Sequence, residues 1–145
     1  MSISIQTVEL EVVAPSILSI VNAAFSRDFD PPTERVDQVT SYLDKCEVYG
    51  VFDGTQLVGY FGFHKHSNSE VELKSIAVHP SYQGKGLAKK MMKKMFEEVG
   101  EASVWLVVHP KNVSAIQTYL KTGFIPSGWR EDFFGDGEPR LVMEK

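Results

Sequence analysis

The sequence has 145 residues, of which 43% are hydrophobic and 23% are charged, a balance that excludes disorder, collagen-like repeats and low-complexity sequence. This length predicts a single domain over residues 1–145. The net charge of −4 argues against nucleic acid and acidic membranes as partners. A lone cysteine, no secretory leader and no apolar run near the ~18 residues of a bilayer span predict a cytoplasmic protein.

Hydrophobic periodicity in the first part of the chain predicts one strand followed by two helices. Residues 2–9 alternate loosely, as a strand does, and residues 14–25 carry a helical apolar stripe. Pro15 suits the first turn of that helix. Thr33 is expected to cap a second helix, whose apolar side runs over residues 36–46.

The middle of the chain predicts three strands. Residues 47–52 and 56–64 flank Asp53-Gly54, which is a strong signal for a two-residue hairpin turn. Residues 70–78 predict the third strand, and a His-Pro pair ends it. This part of the chain is therefore hairpin-like.

The second half alternates helices with strands. Residues 87–99 predict the clearest amphipathic helix, and residues 103–108 predict a strand. Residues 112–122 predict another helix, and residues 133–143 predict a closing hairpin around Asp136-Gly137. A strand–helix–strand order implies parallel pairing, so we expect an α+β (mixed α/β) fold with a mixed sheet and helices on its faces.

Within the third middle strand, the apolar alternation slips by one residue. Val71 and Leu73 share one face, whereas Ile76 and Val78 share the other. Such a slip indicates a β-bulge at Lys74-Ser75, which would leave backbone groups free for an extended ligand. A strand end buried on both faces explains the pattern equally well.

A glycine-containing loop over residues 81–86 joins this strand to the next helix. Gly84 and Gly86 allow a ligand to approach the backbone closely, and a helix N-terminus attracts anions. A dinucleotide fingerprint would need a third glycine where Lys89 stands, and a nucleotide-triphosphate loop would need Ser or Thr directly after Lys85. The loop therefore predicts either another anion site or a glycine turn without a ligand.

Two segments resemble the GNAT family of N-acetyltransferases. Residues 73–99 resemble its acetyl-CoA motif, with Gln83, Gly86 and Ala88 in the positions of the signature. Residues 112–124 resemble the segment that follows it in the family. The resemblance implies the GNAT fold: a central, mostly antiparallel sheet with one parallel pair that splays at a β-bulge, and helices on both faces.

The resemblance also implies an acetyl-CoA site built largely from backbone, with no metal. Residues 76–78 would pair with the pantetheine arm, and amides over residues 84–89 would hold the pyrophosphate. Asn112 would contact the cofactor, cap its helix, or do both. The implied cofactor-binding residues are Ile76, Ala77, Val78, Gln83, Gly84, Lys85, Gly86, Leu87, Ala88, Lys89 and Asn112.

Acetyl transfer needs a proton for the leaving thiolate and a base for the amine. The resemblance places Tyr119 beside the sulfur as the general acid; alternatively, it is a half-buried helix aromatic. Glu72 is the expected base, acting through water, and a solvent-facing strand glutamate is the equal alternative. Glu70, His79, His109 and water itself remain open as bases.

Two further groups of side chains bear on ligands. His64 and His66 have strand spacing but no Cys or acidic partner in their pattern, which predicts no metal site. Asp28, Asp30 and Glu34 hint at a cationic acceptor. Trp129, Phe133 and Phe134 are expected in the core, with the wall of an acceptor pocket as the alternative.

The sequence therefore predicts an N-acetyltransferase that transfers acetyl from acetyl-CoA to a primary amine of a small molecule or peptide by direct attack. A non-catalytic acyl-CoA-binding module with the same fold is the first alternative. A protein-interaction domain with an empty glycine turn is the second. The acceptor's identity and a homodimeric state are left open.

Overall fold

The computed structural model describes all 145 residues. Its strands are β1 (Ile3–Thr7), β2 (Glu47–Asp53), β3 (Gln56–Lys65), β4 (Glu70–Val78), β5 (Ser103–Val108), β6 (Ile125–Arg130) and β7 (Arg140–Glu144). Its helices are α1 (Leu10–Ala24), α2 (Val36–Tyr42), α3 (Leu87–Val99) and α4 (Val113–Lys121). None of these helices combines the length and the apolar composition that crossing a membrane requires.

The strands form one sheet in the order β1-β2-β3-β4-β5-β7-β6. Neighbouring strands are antiparallel except β4 and β5, which run parallel. On one face, Ile17 of α1 and Leu43 after α2 pack with Tyr60 of β3. On the other face, Met91 of α3 packs with Phe61 of β3. The structure confirms the predicted mixed α/β class and the helices on both faces.

The position of α3 follows from its amphipathic sequence. Leu87, Met91 and Met95 recur every four residues and are buried, whereas Lys89 and Lys93 are exposed. The buried stripe fixes the helix against the sheet, so its N-terminus lies next to the end of β4.

The predicted β-bulge in β4 is confirmed. Ser75 pairs with Gly62 and Leu73 pairs with Phe63, so Lys74 is an extra residue without a partner in β3. Pairing between β4 and β5 covers only Glu70, Glu72 and the residue between them. Past the bulge, the two parallel strands separate.

Two helices begin differently from the prediction. α1 starts at Leu10, so Pro15 lies inside the helix and not in its first turn. α2 starts after Arg35, and the Gln38 side-chain oxygen accepts the Arg35 amide at 2.8 Å. Thr33 is not the cap, because Arg35 occupies the N-cap position.

The closing hairpin also differs from the prediction. Its strands are β6 and β7, and residues 131–139 connect them. Sequence patterning missed β6 because Pro126 and Gly128 interrupt it, and its register shifts between these two residues. Trp129 and Phe133 were expected in the core. They are 51% and 37% exposed, so this expectation was wrong. Phe134 is half-buried.

Candidate active site

A cavity of about 810 Å³ opens where β4 and β5 separate. We call one part of it the glycine end, which is lined by Gln83, Gly84, Gly86, Leu87 and Ala88. We call the other part the tyrosine end, which is lined by Asp30, Tyr42, Tyr60 and Tyr119. The open edge of β4 lies along the same cavity.

The edge of β4 in the cavity offers backbone groups to a ligand. Residues 75–78 pair with β3 on one side and have no partner in β5 on the other. Apart from the Val78 carbonyl, backbone donors and acceptors that face β5 here are therefore free for an extended chain to bind as an added strand would. The Gln83 side-chain amide donates to the Val78 carbonyl at 2.9 Å, which ties the loop to the end of β4.

The glycine end presents a helix N-terminus to the cavity. Gly84 and Gly86 have φ angles of 77° and 78°, a left-handed conformation that favours glycine. Gly86 is the N-cap of α3 and provides no side-chain cap, so the first amides of the helix lack a partner. A Cβ atom built on Gly84 or Gly86 would meet nothing within 4 Å. Open space in front of free amides is suited to a phosphate group.

Most of the residues predicted to bind the cofactor line the cavity. They are Ile76, Ala77, Val78, Gln83, Gly84, Gly86, Leu87, Ala88 and Asn112. Lys85 and Lys89 do not line it, and the Lys85 ammonium lies 5.9 Å from the centre of the Tyr82 ring. Asn112 does cap α4, because its side-chain oxygen accepts the Ala115 amide at 3.3 Å.

Tyr119 lies in the cavity and also packs against the core. Its ring meets Phe124 edge to face, with 5.9 Å between the ring centres. Burial, with a smaller contribution from the charge of Asp30, raises the pKa of Tyr119 to about 12. The phenol therefore stays protonated and neutral at any physiological pH.

The structure does not bring the two candidate glutamates into the cavity lining. Glu72 is buried and makes a hydrogen bond of 3.0 Å with His66 Nε2, so it is not the solvent-facing residue of the alternative interpretation. Glu70 accepts the indole N–H of Trp105 at 3.1 Å. Both carboxylates lie in the part of β4 that precedes the bulge.

The two histidines that precede proline accept hydrogen bonds in turns. His79 Nδ1 accepts the Ser81 amide at 3.1 Å, and His109 Nδ1 accepts the Lys111 amide at 3.1 Å. His109 is buried, and its Nε2 has no hydrogen-bond partner. Neither histidine lines the cavity.

The tyrosine end combines hydroxyl groups with one carboxylate. Tyr60 and Ser75 share a hydrogen bond of 2.6 Å, and the Tyr42 hydroxyl donates to the Lys74 carbonyl at 3.1 Å. Burial raises the pKa of the Asp30 carboxyl, and the charges of Arg140 and His109 only partly offset that rise. Burial also raises the pKa values of Tyr42 and Tyr60, and Asp30 adds to both.

Arg140 fixes the loop that carries Asp30, a role that no sequence pattern indicated. Its guanidinium is buried, donates to Asp136 Oδ2 at 2.7 Å and donates to the Phe29 carbonyl at 3.2 Å. It also lies over the ring of Phe134, with 5.0 Å to the ring centre. Phe134 lines the cavity, as a residue of a pocket wall would.

The acidic partner that the sequence did not provide for His64 and His66 is Glu72. Donor atoms of these three residues lie within 4.8 Å of one another. The prediction that these two histidines lack an acidic partner was therefore wrong. The spacing along the sequence could not reveal this partner, because it depends on the register between β3 and β4, which places Glu72 opposite His64.

Comparison with known proteins identifies the class of protein. A sequence profile of the acetyltransferase (GNAT) family matches residues 14–124. The chain therefore belongs to the GNAT family, as the resemblance predicted. The chain is 30% identical over 88 residues to the N-alpha-acetyltransferase RimI of Mycobacterium tuberculosis, a match covering 59% of this chain and 56% of RimI. This chain also aligns with a protein from Mycobacterium leprae, and that match covers 34% of the Mycobacterium leprae protein.

Solved structures share the fold. The ribosomal-protein-S18-alanine N-acetyltransferase of Escherichia coli superposes with a TM-score of 0.81 at 21% identity, over 98% of this chain and 92% of that one. A GNAT family acetyltransferase from Elizabethkingia anophelis, solved with acetyl-CoA bound, superposes with a TM-score of 0.79 at 18% identity, over 99% and 97% of the two chains.

Proposed function

We propose that this chain is an N-acetyltransferase that transfers the acetyl group of acetyl-CoA to a primary amine of a small molecule or peptide by direct attack. The observation that carries the proposal is a single cavity that joins the open edge of β4, the N-terminus of α3 and the tyrosine end. The acetyl-CoA bound to the Elizabethkingia relative supports the choice of cosubstrate.

The glycine end and the open strand edge would hold the cofactor. The pantetheine arm would pair with the backbone of residues 76–78, and the pyrophosphate would accept hydrogen bonds from the free amides that follow Gly86. Gln83 holds this loop on the Val78 carbonyl. Lys85 and Lys89 neighbour the lining residues in the chain and would add attraction for phosphate from outside the lining.

The tyrosine end would hold the reacting groups. The amine nitrogen attacks the thioester carbonyl, the C–N bond forms, and the C–S bond breaks to release the CoA thiolate. Tyr119 would donate a hydrogen bond to that thiolate. Because its pKa of about 12 exceeds the ~8.5 of an ordinary thiol, Tyr119 stabilises the thiolate chiefly as a donor and not by complete proton transfer.

We assign the removal of the amine proton to Asp30. Its carboxylate lies at the tyrosine end, attracts an ammonium group, and has a pKa raised by burial, which makes it a stronger base than an ordinary aspartate. Glu72, the base expected from the family resemblance, would have to act through water from outside the lining. The turnover of Asp30→Asn and of Glu72→Gln separates these assignments, because the variant that lacks the base should turn over more slowly.

The test is release of CoA thiol from acetyl-CoA in the presence of polyamines, aminoglycosides, amino acids and peptide N-termini. We expect acetylated amine and free thiol to appear in equal amounts with at least one class. Calorimetric binding of acetyl-CoA without turnover on any acceptor would favour the non-catalytic module instead. No binding and no change in Tm would contradict the cofactor site itself.

A further inference from the structure

We propose that His64, His66 and Glu72 form a binding site for one divalent transition-metal ion such as Zn²⁺. Their donor atoms, one from each residue, lie within 4.8 Å of one another. None of the three lines the cavity, so the site is separate from the proposed acetyl-CoA site and does not rest on the proposed function.

The β3–β4 hairpin brings the three side chains to one face of the sheet. His64 and Glu72 are directly opposite in the antiparallel register. His66 follows His64 by two residues, the spacing that returns a side chain to the same face of a strand. The His66 amide donates to the Glu70 carbonyl at 2.9 Å, which keeps the backbone paired past the end of β3.

The donor set has the chemistry of a zinc site. Two imidazoles and one carboxylate are a known ligand set for Zn²⁺, with water in the fourth position. Zinc bonds of about 2.0–2.2 Å place neighbouring donors roughly 3.3 Å apart in a tetrahedral site. His66 Nε2 and Glu72 Oε1 are already 3.0 Å apart, so rotation of the His64 side chain would complete the set.

The surroundings of the cluster also suit a metal. The Glu72 side chain is only 10% exposed, and a charged carboxylate is costly to bury even with the hydrogen bond from His66. A bound cation would offset this cost. The His66 ring packs with the rings of His64 and Trp105, with 4.2 Å and 5.9 Å between centres. The His66 side chain is 36% exposed, which gives an ion a path from solvent.

A bound ion would connect β3 and β4 immediately before the bulge at Lys74. This is where β4 stops pairing with β5, after Glu72. We infer that the ion would hold the two antiparallel strands together at the root of the open edge. Metal binding should therefore stabilise the folded chain.

The experiment titrates Zn²⁺ into full-length protein that carries no polyhistidine tag and has been treated with a chelator. Calorimetry should give one ion per chain, and Co²⁺ as a second probe should show the visible absorption of a tetrahedral site. Loss of a residue that merely orients a ligand costs 10–100-fold in affinity, so Glu72→Gln and His64→Ala should each weaken Zn²⁺ binding by at least about tenfold. Zn²⁺ should raise the Tm of the wild type and not that of Glu72→Gln.

His79→Asn is the matched control, because it removes a histidine outside the cluster and keeps an acceptor for the Ser81 amide. It should bind Zn²⁺ as the wild type does. Absence of saturable Zn²⁺ binding by the wild type would overturn the proposal. Equal binding by the wild type and by a folded His64→Ala variant would also overturn it. His64 is half-buried and is therefore the variant of choice if Glu72→Gln does not fold.

Discussion

The glycine end and the tyrosine end of the cavity are built in different ways. The glycine end and the strand edge beside it come from one continuous segment, residues 75–88, and present mainly backbone. The tyrosine end takes side chains from α2, β3, α4 and the loop of Asp30. A site built from backbone can bind the same ligand with many different side chains around it, whereas the ligand preference and chemistry of a site built from side chains change with each substitution. Substitutions at the tyrosine end should therefore lower turnover, and substitutions at the glycine end should weaken cofactor binding.

The largest expected effect is on turnover at the tyrosine end. General base catalysis contributes about 10²–10⁴-fold, so Asp30→Asn should lower kcat by that range and leave the Kd of acetyl-CoA nearly unchanged. In the wild type, kcat/KM should fall as the pH drops through the raised pKa of Asp30, above the ordinary value of 3.8. Asp28→Asn is the control, because Asp28 is exposed and does not line the cavity. Normal turnover by Asp30→Asn would exclude it as the base.

A side chain introduced at the glycine end should weaken acetyl-CoA binding and leave the chemical step unchanged. Gly86→Val fills the space in front of the first amides of α3 and is strained at positive φ. Loss of two charge-assisted hydrogen bonds should weaken acetyl-CoA binding on the order of 1,000-fold. Gly100→Val is the control, with a φ of 63° and open space at the opposite end of α3. Unchanged calorimetric affinity in a folded Gly86→Val protein would place the phosphate elsewhere.

Tyr119→Phe tests the second proposed role at the tyrosine end, that of a donor to the leaving thiolate. It keeps the packing on Phe124 and removes only the hydroxyl. Because a phenol with a pKa of about 12 acts mainly as a hydrogen-bond donor, we expect kcat to fall by about 100-fold, the lower end for acid catalysis. The cofactor Kd should not move. If turnover is normal in Tyr119→Phe and only Tyr119→Ala is damaged, through a lowered Tm, the residue has a packing role alone.

The smallest effect is on stability. A carboxyl whose pKa is higher in the folded than in the unfolded chain makes the folded state bind protons more readily, so its ionisation costs stability as the pH rises above 3.8. Asp30→Asn should therefore have a higher midpoint of urea unfolding than the wild type at pH 7. That difference should disappear below pH 3.8, where Asp30 is neutral in both states. A less stable Asp30→Asn at pH 7 would show that Arg140 outweighs burial.

The sequence predicts the glycine end and Tyr119, but not the rest of the tyrosine end, for a physical reason. The bulge at Lys74, the loop glycines and the start of α3 are local features whose patterns lie within one stretch of chain. Asp30 could be noticed only as an acidic residue, because its burial depends on contacts made through Arg140 from the last strand. No local pattern distinguishes a buried arginine from a surface one.

The same limit explains the cluster of His64, His66 and Glu72 and also β6. The spacing of His64 and His66 is visible in the sequence, but their partner Glu72 depends on the register across the hairpin. β6 contains Pro126 and Gly128, which are typical of a loop, and it forms because β7 provides a pairing edge. In each case pairing with a neighbouring strand determines the outcome.

The contact between Arg140 and Phe29 joins residues 111 apart in sequence, and this separation has a consequence for folding. Contacts between distant residues carry a larger loop-closure cost and form after local ones. The segment of the strand edge, the glycine loop and α3 can assemble from neighbours along the chain, whereas the Asp30 loop is fixed only when β7 has joined the sheet. We therefore expect the part of the cavity that would bind the cofactor to form before the part that would recognise the acceptor.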